Sequence, residues 1–348
     1  MLTRNTVLAG VVLLCSQVGA AAAPFTLRFA HPDPGMKENP HHIMVLEARR
    51  LIEERTNQRI KVVIFPAQQM GNDTEAVQQI QGNVLEAALV YPQSMVTFVP
   101  EIQVLEIPYL FNVPGSDPDR LLEHALRGPL MNRLEKTLQA KFSNVRLLAA
   151  YGNQWRDFAT TFPLRTVEDL KGQKIRTIPS PIQQAFIATL GGDPTVVNSS
   201  EVFTALNTGL ITGGDYGVMH LYSIRIVDYI KHVLADRHSP IVCYIVANHR
   251  WLEALPADLR DTVIQSLQDA AAFGTRNAEE RARFCATEFT TRHGGTIREP
   301  DENTLEAFRR AAGPIRQMYV RKYGHSWLDL ADTTIAAAAE QLKSTPSP

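Results

Sequence analysis

Apolar residues change from alternate to helical spacing along the first part of the chain, and this pattern predicts the order β-α-β-α-β. An open sheet built in this order is mostly parallel and binds ligands beyond the carboxyl ends of its strands. Those ends fall at His31, Pro66 and the pair Tyr91-Pro92. The predicted elements are a strand at 26–30, a helix at 41–57, a strand at 60–65, a helix ending at 81 and a strand at 85–91.

The later part of the chain continues the α/β pattern and places two arginines, Arg156 and Arg176, on predicted strands. Ser180 and Pro181 follow as a helix start, because serine caps helices and proline fits the first helical position. We predict strands at 145–151, 152–161, 174–178 and 239–246, a helix at 181–190 and a glycine-rich loop at 213–217.

A helical pattern then runs from about 256 to 292. At 1.5 Å per residue such a helix reaches roughly 55 Å, which is longer than one domain. Gly274 either bends this helix or is tolerated in line. The length of 348 residues likewise favours two domains over one.

The composition is that of a globular protein, with 45% hydrophobic and 20% charged residues. The formal net charge of -1 argues against nucleic acid or an anionic membrane surface as the main partner. We therefore expect no nucleic-acid partner.

The N-terminus has the pattern of a secretory signal peptide. Arg4 precedes an apolar run from Val7 to Val18, and the small residues Ala20 to Ala23 suit a cleavage site. We expect residues 1–22 to be removed and the remaining chain to be a soluble periplasmic protein, because no later apolar run is long enough to span a bilayer. Cys243 and Cys285 then remain, either as two separate buried thiols, which we favour, or as a pair.

Signatures of catalysis and metal binding are missing from the sequence. There is no GxSxG, HExxH, P-loop or GxGxxG motif. His41 and His42 lie near His31 and Asp33, but adjacent helical residues point in different directions and do not easily serve one ion. We expect no enzyme activity, no cofactor and no metal.

Arg176 and Arg156 are the leading candidates for anion binding. An arginine just upstream of a helix N-terminus combines a planar guanidinium with a positive helix end, which suits a carboxylate. Either arginine could equally be a solvated surface residue. Trp155, Phe158, Tyr91 and Tyr216 could form the walls of a site for a small organic acid, or could be core residues.

Several motifs are similar to those of one family. The chain resembles the DctP-type solute-binding proteins of tripartite ATP-independent periplasmic (TRAP) transporters from about residue 25 to residue 330. The motifs that carry the resemblance lie at 27–31, 59–71, 100–111, 169–176 and 200–209.

The resemblance implies an α/β fold of two domains with a cleft between them and a long helix that spans both. It implies a first domain of residues 23–151 plus about 240–275, and a second of 152–239 plus about 276–342. It also implies a monomer that closes on a small organic acid and delivers it to an integral membrane permease driven by an ion gradient. A ligand-binding module of a sensor or of another transporter is the alternative, and a periplasmic enzyme acting on an organic acid is a weaker one.

Site residues also follow from the resemblance. Arg176 matches the arginine that pairs in bidentate fashion with the ligand carboxylate, and Arg156 matches a second basic position. Tyr91 and Pro92 match a position that lines the ligand in the first domain. The remaining expected ligand-binding residues are His31, Glu75, Asp215 and Tyr216.

The stretch from Thr212 to Tyr216 departs from the family pattern, since Tyr216 replaces an asparagine that often bonds the ligand. Asp215 and Tyr216 suggest partners for hydroxyl groups, so a hydroxylated acid such as a sugar acid is our hypothesis. A dicarboxylate and an aromatic acid remain open, as does binding of a cation beside the ligand.

Overall fold

The computed structural model describes residues 25–36 and 39–344 as a mixed α/β protein. The predicted signal peptide, residues 1–22, lies outside the described residues. None of the helices in the described part of the chain combines the length and apolar character needed to cross a membrane.

The described strands form one nine-stranded sheet. Eight of them follow the order β2-β1-β3-β8-β4-β7-β5-β6, and the ninth pairs with β8. The strands are β1 (Phe25–Ala30), β2 (Ile60–Phe65), β3 (Ala87–Val90), β4 (Val145–Thr160), β5 (Lys174–Thr177), β6 (Asp193–Val196), β7 (Gly213–Tyr216), β8 (His232–Asn248) and β9 (Thr296–Arg298).

The helices cover both faces of this sheet, as expected where strands and helices alternate. A 3₁₀ helix at Pro100–Glu106 adds a further segment before β4. The α-helices are α1 (Pro40–Arg55), α2 (Asp73–Gln81), α3 (Pro92–Phe98), α4 (Pro118–Ala125), α5 (Pro129–Lys141), α6 (Pro181–Thr189), α7 (Val202–Asn207), α8 (Val218–Ser223), α9 (His249–Ala254), α10 (Ala257–Thr291), α11 (Glu302–Tyr323) and α12 (His325–Ser344).

Two long antiparallel strands, β4 and β8, join the two halves of the sheet. The later part of β8 pairs with β3, and the later part of β4 pairs with β7. The pairing of β4 with β8 shifts register at three points, one of them between Arg156 and Phe158. Such irregularities bend a strand and increase its twist. The two strands predicted at 145–151 and 152–161 are therefore one strand, bent rather than interrupted.

The long helix α10 has 35 residues and spans about 52 Å at 1.5 Å per residue. It continues through Gly274, where an added Cβ would lie 2.8 Å from Met44 Cγ of α1. Glycine is therefore tolerated in line and lets two helices approach closely. The early part of α10 packs on α1 and β4, whereas Cys285 packs near Met219 of α8. The predicted α/β fold with a long spanning helix is confirmed.

The division of the chain into two domains stays a prediction. The last two helices, which that division places together in the second domain, pack against different parts of the chain. α11 packs against α6, whereas α12 packs against α4 and α5 through a buried face that includes Trp327 and Ile335. Residues 325–344 thus contact helices that the predicted division places in the first domain.

Candidate functional site

Arg176 is held in place by backbone and side-chain acceptors from the next strand-to-helix turn. It lies on β5, between β6 and β7, and is 3% exposed. Its Nε donates to the Val197 carbonyl at 2.9 Å, and its Nη2 donates to the Ser199 hydroxyl at 3.3 Å. These bonds fix the guanidinium plane and leave the edge formed by the two terminal nitrogens open for a bidentate anion.

Arg176 carries a buried charge that has no carboxylate partner within 4 Å among the described residues. The Tyr216 ring covers one face of the guanidinium, with 5.3 Å between Cζ and the ring centroid. Burial lowers the pKa of Arg176 from its ordinary value. A buried charge without a counter-ion is costly, so this position favours an incoming anion.

Arg156, by contrast, already has an anionic partner. It lies on β4 and is 5% exposed, and its Nη1 is 3.4 Å from Oδ2 of Asp215 on β7. The same Asp215 oxygen accepts a hydrogen bond of 3.0 Å from the Thr177 hydroxyl. Asp215 therefore offsets the charge of Arg156, which leaves one uncompensated positive charge at Arg176.

Glu106 adds a second buried carboxyl near Arg156 and was missed by sequence reasoning. It ends the 3₁₀ helix, and the Ser180 hydroxyl donates to it. Burial raises the pKa of Glu106, although Ser180 and Arg156 oppose that shift. Gln183 donates to the Glu106 carbonyl at 3.2 Å and to the Ser239 hydroxyl at 2.9 Å. The apolar run around Glu106 gave no sign of this polar role.

A second polar cluster comes from the loop after β1, from α1 and from the β3–α3 junction. The Tyr91 hydroxyl lies 3.0 and 3.1 Å from the two Asp33 oxygens and 3.3 Å from Nε2 of His41. The other ring nitrogen of His41 bonds to the Tyr151 hydroxyl of β4. Burial raises the pKa of Tyr91 well above its ordinary value, so the phenol stays neutral. We call His31, Asp33, His41 and Tyr91 the N-terminal wall.

The other expected residues of this side divide into two groups. His31 is buried at the end of β1, with Nε2 2.9 Å from Nδ1 of His42. Pro92 is buried at the first position of α3. Glu75 is exposed, and its carboxylate accepts from the backbone N–H of Asn72 at 2.8 Å, in a capping box that begins α2. The carboxylate of Glu75 is therefore engaged in local helix capping.

Asp215 and Tyr216 lie on the strand β7, so the glycine-rich loop predicted at 213–217 is wrong. Four strand residues replace it because β7 pairs with β4 on one side and with β5 on the other. The glycines are still required for space. A Cβ on Gly213 would lie 2.7 Å from the backbone carbonyl oxygen of Ala159 on the paired strand β4. We call Arg156, Arg176, Asp215 and Tyr216 the C-terminal wall.

His220 on α8 was also missed, although residues of both walls, Arg176 and His41 among them, act on its charge. Its ring stacks on Tyr216, with 5.8 Å between centroids and 27° between planes. Burial, followed by repulsion from Arg176, Arg156 and His41, lowers the pKa of His220 to about 3. The imidazole is therefore neutral at physiological pH.

Replacing His220 tests this assignment through the pH dependence of stability. With a pKa of about 3 in the folded chain and 6.5 ordinarily, the unfolded chain takes up the proton first. The stability linked to the neutral ring is therefore complete above pH ~6.5 and lost as the pH falls toward 3. His220→Gln should lose less stability between pH 7.5 and 4.5 than the parent, by on the order of 1 kcal/mol. Urea unfolding at both pH values measures the difference.

Two acids with raised pKa values, Asp73 at about 6 and Asp157 at about 7, act in the opposite direction. They are present in both proteins and cancel in the comparison. His232→Gln serves as the control, because His232 lies on β8 with its Nδ1 2.9 Å from the Thr296 hydroxyl. Equal pH dependence in His220→Gln and the parent would contradict an imidazole that is held neutral in the folded chain.

Several buried polar atoms near the walls have no hydrogen-bond partner among the described residues. Buried polar groups are normally paired, so these atoms are available to a polar ligand. They include the Tyr216 hydroxyl, His31 Nδ1, Asp215 Oδ1, Glu106 Oε1, Asn153 Oδ1 and Gln154 Oε1.

A separate cavity of about 320 Å³ lies between α4, α5, β4 and α10. Its charged lining residues are already paired, as shown by the 2.8 Å contact between Arg127 and Glu123. It contains none of the expected site residues. In the described part of the chain, no group of three or more His, Cys, Asp or Glu side chains could hold a metal ion. Cys243 and Cys285 are separate buried thiols.

The α/β fold is shared with two-domain periplasmic solute-binding proteins. The chain belongs to the DctP family, bacterial extracellular solute-binding protein family 7, which matches residues 35–322. This confirms the resemblance found in the sequence.

Relatives and solved structures agree with this family. The 2,3-diketo-L-gulonate-binding periplasmic protein YiaO of Escherichia coli is 25% identical over 73% of this chain and 75% of its own length. The C4-dicarboxylate-binding periplasmic protein DctP of Rhodobacter capsulatus is 26% identical over 80% and 83%. A TRAP periplasmic solute-binding protein of Chromohalobacter salexigens, solved with bound D-glucuronate, shares the fold at 22% identity and a TM-score of 0.78, covering 90% of this chain and 99% of that chain.

Proposed function

We propose that this protein captures a small organic acid outside the cytoplasm and delivers it to the membrane permease of a TRAP transporter. The supporting observation is the buried guanidinium of Arg176, which has fixed geometry and no carboxylate partner in the described chain. The family is one of solute-binding proteins, and its named relatives bind diketogulonate or C4-dicarboxylates. We propose binding without chemical conversion, by a monomer.

The ligand carboxylate would occupy the open edge of Arg176, with Arg156 and Tyr216 beside it and Tyr91, Pro92 and His31 on the opposite side. Closing the two walls removes water, and a charge-assisted pair is stronger where water is excluded. The bent strand β4 suits such a movement, because it carries Tyr151, bonded to His41, and Arg156 only five residues later. Movement of domains about a few hinge residues is a common response to ligands.

Localisation follows from the same proposal. Residues 1–22 would act as the signal peptide that directs the chain to the periplasm, where the permease can receive the loaded protein. The permease would recognise the closed form, since closure is what distinguishes the loaded from the empty protein.

A thermal-unfolding panel tests the binding function. The purified protein is heated alone and with D-glucuronate, D-galactonate, succinate, orotate, benzoate or glucose. A true ligand at about 100 times its dissociation constant stabilises the folded protein by about 2.7 kcal/mol and raises the melting temperature by several degrees. We expect at least one acid to do so and neutral glucose to have no effect. A panel in which no acid raises the melting temperature would contradict the proposal.

A further inference from the structure

The charges of the C-terminal wall suit one carboxylate rather than two. Asp215 offsets Arg156, and Glu106 is a further acidic group within the field of Arg156. Of the two arginines on this wall, Arg176 is the one with no carboxylate within 4 Å among the described residues. A second carboxylate on the ligand would find no free cation on this wall, and it would approach buried carboxyl groups instead.

The N-terminal wall offers no second cation either. Asp33 is the main charged group acting on His41 and Tyr91. Burial lowers the pKa of His31 to about 4, and it also lowers that of His41, so both imidazoles are neutral. Asp73 lies next to this wall, with its carboxylate accepting from the Tyr91 backbone N–H at 2.8 Å. A carboxylate pointing this way would meet acidic groups and neutral rings.

Hydroxyl groups match the same surroundings well. A hydroxyl both donates and accepts, so it can satisfy a neutral imidazole, a phenol or an amide oxygen. The Tyr216 hydroxyl, His31 Nδ1 and Gln154 Oε1 have no partner among the described residues. An acid without hydroxyls would leave such atoms unpaired in the closed cleft, at a cost of about 1–3 kcal/mol each.

His220 has a ring nitrogen, free within the described part of the chain, that could form a hydrogen bond with such a hydroxyl. Its Nδ1 is 3.3 Å from the Ser223 hydroxyl, and its Nε2 has no partner among the described residues. Its ring stacks on Tyr216, and the same tyrosine covers the Arg176 guanidinium. Arg176 and Arg156 of one wall and His41 of the other all act on the charge of His220, so the imidazole lies within electrostatic range of both walls.

We propose that the ligand is a polyhydroxylated monocarboxylate, the chemical class of aldonic and uronic acids, and that His220 is a specificity-determining residue that bonds a ligand hydroxyl. This inference rests on the proposed function, because it assumes that Arg176 binds the carboxylate. It excludes dicarboxylates and unsubstituted acids as the preferred ligands.

A set of acids with the same six-carbon chain tests separately the need for a single carboxylate and the need for hydroxyl groups. D-gluconate, D-galactonate, D-glucuronate and D-galacturonate carry one carboxylate and several hydroxyls, hexanoate carries one carboxylate alone, and D-glucarate and adipate carry two. By calorimetry we expect the best sugar acid to bind at least about 100-fold more tightly than hexanoate, from two or more unsatisfied polar atoms. We expect it to bind at least about 10-fold more tightly than either diacid.

The variant His220→Gln isolates the histidine. We expect it to weaken binding of the best sugar acid by about 10-fold or more and to change hexanoate binding less than about twofold. His232→Gln is the matched control and should behave like the parent with every acid. Unfolding of His220→Gln without ligand checks that the variant is folded.

The outcomes separate the two proposals. If adipate, succinate or hexanoate binds as tightly as every sugar acid and that binding depends on Arg176, the ligand class is overturned while the binding function stands. A sugar acid that binds His220→Gln as tightly as the parent overturns the role of His220. If no acid binds at all, the proposed function itself fails.

Discussion

Arg176→Ala should weaken binding of the best organic acid by more than about 2 kcal/mol, or roughly 30-fold in the dissociation constant. The substitution removes the guanidinium edge that Val197 and Ser199 hold open, so the ligand carboxylate is desolvated in the closed cleft without a partner. Isothermal titration calorimetry of parent and variant with the same acid measures the loss directly. A loss of less than threefold would falsify the assignment of Arg176 as the carboxylate anchor.

Arg176→Lys is the matched control for geometry. It keeps a positive charge at the same place but cannot form the bidentate pair or keep both fixing bonds. We expect an affinity between those of the parent and Arg176→Ala. A lysine variant equal to the parent would show that charge alone holds the ligand. Stability without ligand should fall little in either variant, since in the described chain Arg176 pairs with no carboxylate.

The strand, the helix start and the arginine at this site could be predicted because each depends on neighbours in sequence. Ile175 alternates with charged positions, Ser180 accepts from the Gln183 backbone N–H and Pro181 occupies the first position of α6. The long helix α10 was equally predictable, since its periodic apolar face is continuous. Local propensity and periodicity carried these predictions.

The pairing of Arg156 with Asp215 could not be predicted, because it depends on which strands are neighbours. Phe158 of β4 lies opposite Asp215 of β7, 57 positions along the chain. A glycine-rich stretch reads as a loop when it is considered alone, and only pairing on both sides makes residues 213–216 a strand. One carboxylate oxygen of Asp215 accepts hydrogen bonds from Arg156 and Thr177. The hypothesis that Asp215 contacts ligand hydroxyls therefore applies only to its other oxygen.

The neutral charge state of three histidines could not be predicted for a similar reason. His31, His41 and His220 are scattered in sequence, and burial is the main cause that lowers the pKa of each. Arg176 and Arg156, which the fold brings near, add to this effect at His220. The His41-His42 pair was considered from the sequence only as a metal site, and the hydrogen bonding of His41 to Tyr91 needed the structure. Burial, rather than residue type, decides what such a side chain can bind.

Asp215→Ala should destabilise the folded protein by about 3 kcal/mol, because it leaves Arg156 buried and 5% exposed without its counter-charge. Urea unfolding measures this loss. Asp269→Ala is a suitable control, since its pair with Arg55 is 39% exposed at both side chains and should contribute less than about 1 kcal/mol. A loss in Asp215→Ala no larger than in the control would show that Arg156 is compensated elsewhere.

The same variant should also weaken the preference for a ligand with one carboxylate. Without Asp215 the site holds two uncompensated guanidinium groups, so a second ligand carboxylate gains a partner. In Asp215→Ala we expect the affinity for D-glucarate, divided by the affinity for D-gluconate, to be about 10-fold higher than in the parent. We also expect D-glucarate to restore more of the lost folding stability than D-gluconate does. Asp215→Asn keeps an acceptor oxygen for Thr177 but not the charge, so it should shift the preference equally while losing less stability. A preference for D-gluconate unchanged in both variants would mean that Asp215 does not set the charge of the site.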